Sequence, residues 1–189
     1  MPAADAPAIR FARHNFDNLQ SLARFGDTKA GSLVVIVIFL FGAGVGTVRE
    51  AVIHMALHQV SATLMAAFWV SWAVFAIAGI VITLIIIYEV VLVRGASHYS
   101  TVEIRRDLMY SEHVMLHPTN ESYYQALTAM DPELELRNVS DQVYEIAHIV
   151  NAKMRGLREA QNGMKVCLLS WFIGIVFALI ILGTVQQRG

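Results

Sequence analysis

Three apolar runs set the terms for any fold this chain can adopt. The first, 30–48, has 19 residues and no charge; the second, 64–93, has 30 residues and one charge, Glu89; the third, 166–185, has 20 uncharged residues. At about 1.5 Å of rise per residue, each run is long enough to cross a hydrocarbon layer of roughly 30 Å. The second exceeds that need and has to tilt or project a turn or two beyond it. A spanning segment in lipid must bond its own backbone polar groups, so uninterrupted runs of this length read as helices. The chain is 56% apolar and 15% charged, against roughly 45–50% and about 25% in soluble domains, and the excess is concentrated in these runs. The expected fold is all-α: a three-span helical membrane protein with a small cytoplasmic helical domain, formed by the N-terminal segment and the connection between spans two and three. Disordered and collagen-like chains are excluded, and the single cysteine, Cys167, cannot form an internal disulfide. A charged segment from Arg10 to Lys29 precedes the first run, which argues against a secretory signal peptide.

The flanking cations orient the spans. Four (Arg10, Arg13, Arg24 and Lys29) precede span one, and eight lie between spans two and three. The other two connections hold one each, Arg49 and Arg188. The positive-inside rule then predicts a cytoplasmic N-terminus and a C-terminus outside. Trp69, Trp72 and Trp171 stand early in spans two and three, where indole rings favour the interface. Gly42 and Gly46 form a Gly-x-x-x-Gly that serves either packing within the bundle or a helix–helix contact between copies.

The expected organisation follows: 1–29 as an amphipathic cytoplasmic helix, 30–93 as a transmembrane hairpin, 94–165 as a cytoplasmic helical region and 166–185 as the last span. Within 1–29, Ile9, Phe11, Phe16, Leu19, Leu22 and Phe25 recur at helical spacing, with a break at Gly26 and Asp27 as cap of the next helix. The later region is expected to continue span two through Tyr99, Val102, Ile104 and Leu108, and to break at His117-Pro118. A short helix capped by Thr119 or Asn120 follows over 121–130, ended by Asp131-Pro132. Beyond it Val139, Val143, Ile146, Val150, Met154 and Leu157 mark a long amphipathic helix, with Glu145, Lys153, Arg155, Arg158 and Glu159 between them. Nothing in 133–165 forces a stop before span three, so a single helix is expected to run from the cytosol into the membrane.

No phosphate-binding loop, nucleophile elbow, His-Glu-x-x-His or paired-cysteine metal site occurs, so the chain is read as non-enzymatic and without metal or cofactor. His54 and His58 have a spacing that could hold a metal on a helix, but only Glu50 lies nearby. Glu89, a carboxylate inside an apolar run, stands five residues before Arg94, within reach of the headgroups. Asp27 and Lys29 stand at the mouth of span one, as a cap and a snorkelling cation or, with Glu89, as coupling residues. Asp141, Gln142, Tyr144, Lys153 and Arg158 supply a carboxylate, an amide, a phenol and two cations. Such a set suits a small anion with a polar ring, and equally a solvated helix face.

Three landmarks in order, Asp27-Thr28-Lys29-Ala30, Pro118-Thr119-Asn120-Glu121-Ser122-Tyr123, and the stretch from Asp141 to Lys153 followed by Leu157, Arg158 and Ala160 and then a span, resemble the Pycsar transmembrane effectors of bacterial antiphage defence. A departure is Met154, where an aromatic is expected after the Lys. The resemblance runs from about Phe16 to Leu182. It implies an inner-membrane effector that answers a cyclic pyrimidine mononucleotide, cUMP or cCMP, made by a partner cyclase. The response it implies is loss of membrane integrity and abortive infection. The expected partners are the lipid bilayer, the nucleotide and further copies of the chain, with no nucleic-acid polymer. A small transporter or channel subunit, or a membrane-anchored adaptor, is the alternative reading. The binding set Asp141, Gln142, Tyr144, Lys153 and Arg158 rests on charge, position and motif, not on transferred contacts.

Overall fold

A computed structural model of the chain describes residues 7–93, 114, 115 and 117–183. Helix α1 spans Pro7–Leu57. Helix α2 spans Ala62–Ile85 and runs on into a π-helical turn, Ile86–Val91. Helix α3 spans Asn120–Thr128 and α4 spans Pro132–Gly183. Three of these segments, α1, α2 with its π-turn, and α4, are long and apolar enough to cross a membrane. No strand occurs among the described residues. The chain is a three-span helical membrane protein.

Local chemistry explains where most helices start. The hydroxyls of Ser61 and Thr119 accept from the backbone N–H of Leu64 (3.3 Å) and Ser122 (3.1 Å), so each satisfies one of the donors a helix start leaves open. Thr119 is thus the cap of α3, not Asn120. Asp131 does the same for α4, accepting from Leu134 N–H at 2.7 Å. Pro132 then opens α4 at the position where a missing N–H costs nothing, and Glu133 and Glu135 face the positive end of the helix dipole.

One expected boundary is absent. Helix α1 passes through Gly26 and Asp27 without a break. A glycine inside a helix costs about 1 kcal/mol, whereas stopping and restarting strands several backbone donors and acceptors. Gly26 is also buried. Likewise α4 continues from the polar segment into the apolar run as one helix. The expected continuation of span two through Tyr99 to Leu108 lies outside the described residues.

The chain divides into two compact units: Met1–Gly26 with Val93–Lys153, and Asp27–Leu92 with Met154–Gly189. In the second, apolar unit, Val37, Leu40, Phe75, Ile82, Val90 and Cys167 belong to one buried cluster, and Ala51, Phe68, Ala178 and Ile181 form another. Trp69 is half-exposed, but Trp72 and Trp171 turn inward, unlike the interfacial placement their positions suggest. A Cβ at Gly44 would lie 2.7 Å from Cζ3 of Trp72, and one at Gly174 would lie 3.0 Å from its Nε1. These glycines make room for the indole. Trp171 Nε1 donates to the carbonyl of Leu40 at 3.0 Å, tying α4 to α1. In the first, polar unit, Ile9, Val139 and Val150 are buried together with two polar residues, Asn138 and Glu145. Arg13 pairs with Glu135 there.

Candidate functional site

The polar part of α4 carries two stripes. Asn138, Gln142 and Glu145 recur at steps of four and three, and Lys153 continues that line two turns later, so all four share one face. Asn138 is 3% exposed and Glu145 8%, while Gln142 and Lys153 are half-buried. The amide of Asn138 donates to the Leu134 carbonyl at 2.9 Å, and Asn138, Glu145 and Lys153 all have further polar partners. The second stripe, Arg137, Asp141, Tyr144 and His148, faces solvent. There the Tyr144 ring meets the His148 ring edge-on at 4.6 Å.

The five candidate binding residues therefore do not share one surface. Gln142 and Lys153 lie on the inward stripe; Asp141 and Tyr144 lie on the outward one. Arg158 is exposed and belongs to the apolar unit. Glu145, which lies between the apolar positions of the amphipathic pattern, is buried. Asn138 and Glu145 stand seven apart and so share a face, and the structure turns that face inward.

At the mouth of the spans, Asp27 and Lys29 are exposed and have interaction partners. Glu89 sits in the π-turn, where one carboxylate oxygen, Oε2, is buried without a hydrogen bond among the described residues. Arg155 Nε lies 3.8 Å from that oxygen. Gly42 and Gly46 are exposed, and a Cβ on either would meet nothing within 4 Å. The intramolecular close approach is instead at Gly44, between them. At the end of α1, His54 and His58 stack with ring centroids 4.3 Å apart. No group of three or more metal-ligating side chains occurs among the described residues.

Fold and site together define a multi-span helical membrane protein with a polar helical unit on the same long helices. Residues 11–182 match the Pycsar effector protein domain, PycTM, and on that extent the chain belongs to the Pycsar effector family. It is a membrane effector of antiphage defence, and membership implies a cyclic-nucleotide signal from a partner cyclase. No curated protein and no solved structure matches the chain.

Proposed function

We propose that this effector is switched on by a cyclic pyrimidine mononucleotide, cUMP or cCMP, bound by the polar unit, and that it then breaches the bacterial inner membrane. The observation that carries the reading is the continuity of α4. One helix holds the polar stripes and, without interruption, the apolar run of span three. The ligand has one negative phosphate and a hydrogen-bonding base edge, and the residues of α4 suit both. Lys153 offers a cation for the phosphate. Gln142 can donate and accept, Glu145 can accept from a ring N–H or exocyclic amine, and Asp141 and Tyr144 add polar groups on the outer face. Asp27, Lys29 and Glu89 stand where such a signal would reach the spans.

Membrane damage by a pore requires several copies, because three spans with so few polar groups cannot enclose a conducting path. The open glycines at Gly42 and Gly46 suit contact with a second copy, since in lipid close backbone approach replaces the hydrophobic drive. The N-terminus and the polar unit are cytoplasmic in this reading. A reporter inserted near Asp131 then reads cytoplasmic, and one fused after Gly189 reads periplasmic.

The deciding experiment is titration of purified full-length protein with cUMP and cCMP, with cAMP as control. One of the two pyrimidine nucleotides is expected to bind, and Lys153→Ala to lose both binding and ligand-dependent dye entry while the protein still inserts. Equal binding of cAMP, or wild-type killing by that variant, overturns the assignment.

A further inference from the structure

The sequence Ile86-Ile87-Tyr88-Glu89-Val90-Val91 contains no glycine or proline and has no reason of its own to leave α-helical geometry. Yet it forms a π-turn, closed by the N–H of Leu92 donating five residues back to the carbonyl of Ile87 at 2.9 Å. Turns of this kind are rare and concentrate at functional positions. Across from this turn stands α4. Gly156 is buried so tightly against this turn that a Cβ there would lie 2.6 Å from the Cβ of Glu89 and 3.3 Å from its carbonyl oxygen. On either side, Ile86, Val90, Leu157 and Ala160 are buried in one cluster, so the contact is clamped by packing.

The charged pair inside this clamp is loose. Glu89 Oε2 is buried without a hydrogen bond, and the 3.8 Å to Arg155 Nε is too long to be one. The Arg155 side chain is 69% exposed and free to swing away. A π-turn holds one residue more than the α-turn it replaces, so a return to α geometry would rotate Leu92 and Val93 about the helix axis by roughly 100°.

We propose that the Ile86–Val91 π-turn, Glu89, Arg155 and Gly156 form a two-position joint that holds the effector at rest. This deepens the ligand-gated reading and rests on it. In the resting position Gly156 seats the backbone of Glu89, and Arg155 holds its carboxylate by charge. A turn of α4 that carries both residues off Glu89 releases the π-turn and rotates the end of span two. The joint thus converts motion of α4 into motion of a second span, and it is built only from residues of the apolar unit.

The test uses the full-length chain in bacterial cells without the cyclase, read by propidium iodide entry. Glu89→Gln, Arg155→Gln and Gly156→Ala are expected to raise dye entry about tenfold over wild type, the size of an ordinary coupling factor. The swap Glu89→Arg with Arg155→Glu is expected to return it to within about twofold, since the pair attracts in either order. Gly31→Ala serves as control, because a Cβ there would meet nothing within 4 Å. Hydrogen–deuterium exchange over 86–92 in the purified proteins, with no nucleotide added, supplies a second reading. The three single variants are expected to shift exchange there about tenfold and the control to leave it alone. Glu89→Gln and Arg155→Gln add no bulk, so they stand even if Gly156→Ala fails to accumulate. Wild-type exchange and wild-type dye entry in those two variants overturn the joint. Altered exchange with no rise in dye entry overturns it too, because the turn then moves without gating anything. If nucleotide fails to bind the wild-type protein, the ligand assignment falls, while the cyclase-free arm still decides the joint.

Discussion

The apolar unit and the polar unit are built from the same long helices but held by different forces. In the apolar unit, glycines receive the large groups of neighbouring helices: Trp72 over Gly44 and Gly174, Phe41 over Gly79, and the backbone of Glu89 over Gly156. In the polar unit, beside the buried Ile9, Val139 and Val150, the contacts include side-chain caps, the Arg13–Glu135 pair and a buried polar stripe. The contrast follows from solvent. Lipid offers apolar helices no hydrophobic reason to associate, so shape and close approach must do it. Water does offer that reason, and it also solvates any cap or charge left over, so individual polar contacts there count for less.

The contrast breaks most readily at Gly44. Gly44→Leu is expected to destabilise the protein by about 3 kcal/mol, since the Trp72 ring has nowhere to move. Gly42→Ala, two residues away in open space, is expected to cost nothing in the monomer and to gain up to about 1 kcal/mol of helix propensity. Thermal unfolding in detergent compares the two, and equal losses would mean that close approach is not what holds the apolar unit.

Smaller effects sharpen the comparison. Trp171→Phe keeps the ring packing but removes the hydrogen bond to the Leu40 carbonyl, at an expected cost of about 1–2 kcal/mol in the same assay. In the polar unit, Thr119→Ala is expected to weaken α3 by about 1 kcal/mol, visible as faster amide exchange over 120–128 with the spans unchanged. Arg13→Ala should cost under about 1 kcal/mol, and the loss should shrink as salt is added. A loss from Arg13→Ala as large as that from Trp171→Phe, and insensitive to salt, would show the polar unit to be held as tightly as the spans.

The candidate site was legible in part. Lys153 and Gln142 stood out as chemistry-bearing residues near a span, but the pattern of charges does not tell which face of a long helix turns inward. Glu145 stands among the charged residues between the apolar positions of the helix, yet it is buried on the same face as Asn138. The glycines of span one show the same ambiguity. Gly42, Gly44 and Gly46 alternate, the Gly-x-x-x-Gly spacing draws the eye to the outer two, and the middle one is where Trp72 packs.

What the sequence determined by itself was the helical, three-span architecture, the family landmarks and most helix starts. A run of some twenty apolar residues has one way to satisfy its backbone in lipid, and Ser61, Thr119 and Asp131 carry their capping oxygens with them. Only the tertiary structure decided the continuity of α1 through Gly26, the inward turn of Trp72 and Trp171, and the π-turn at Glu89. The indoles and the turn at Glu89 each meet a partner distant in sequence. Local preference for or against them is worth about 1 kcal/mol or less, and packing against a facing helix is worth more. Gly156, sixty-seven positions after Glu89, packs against a turn whose own residues carry no glycine or proline to break an ordinary α-helix.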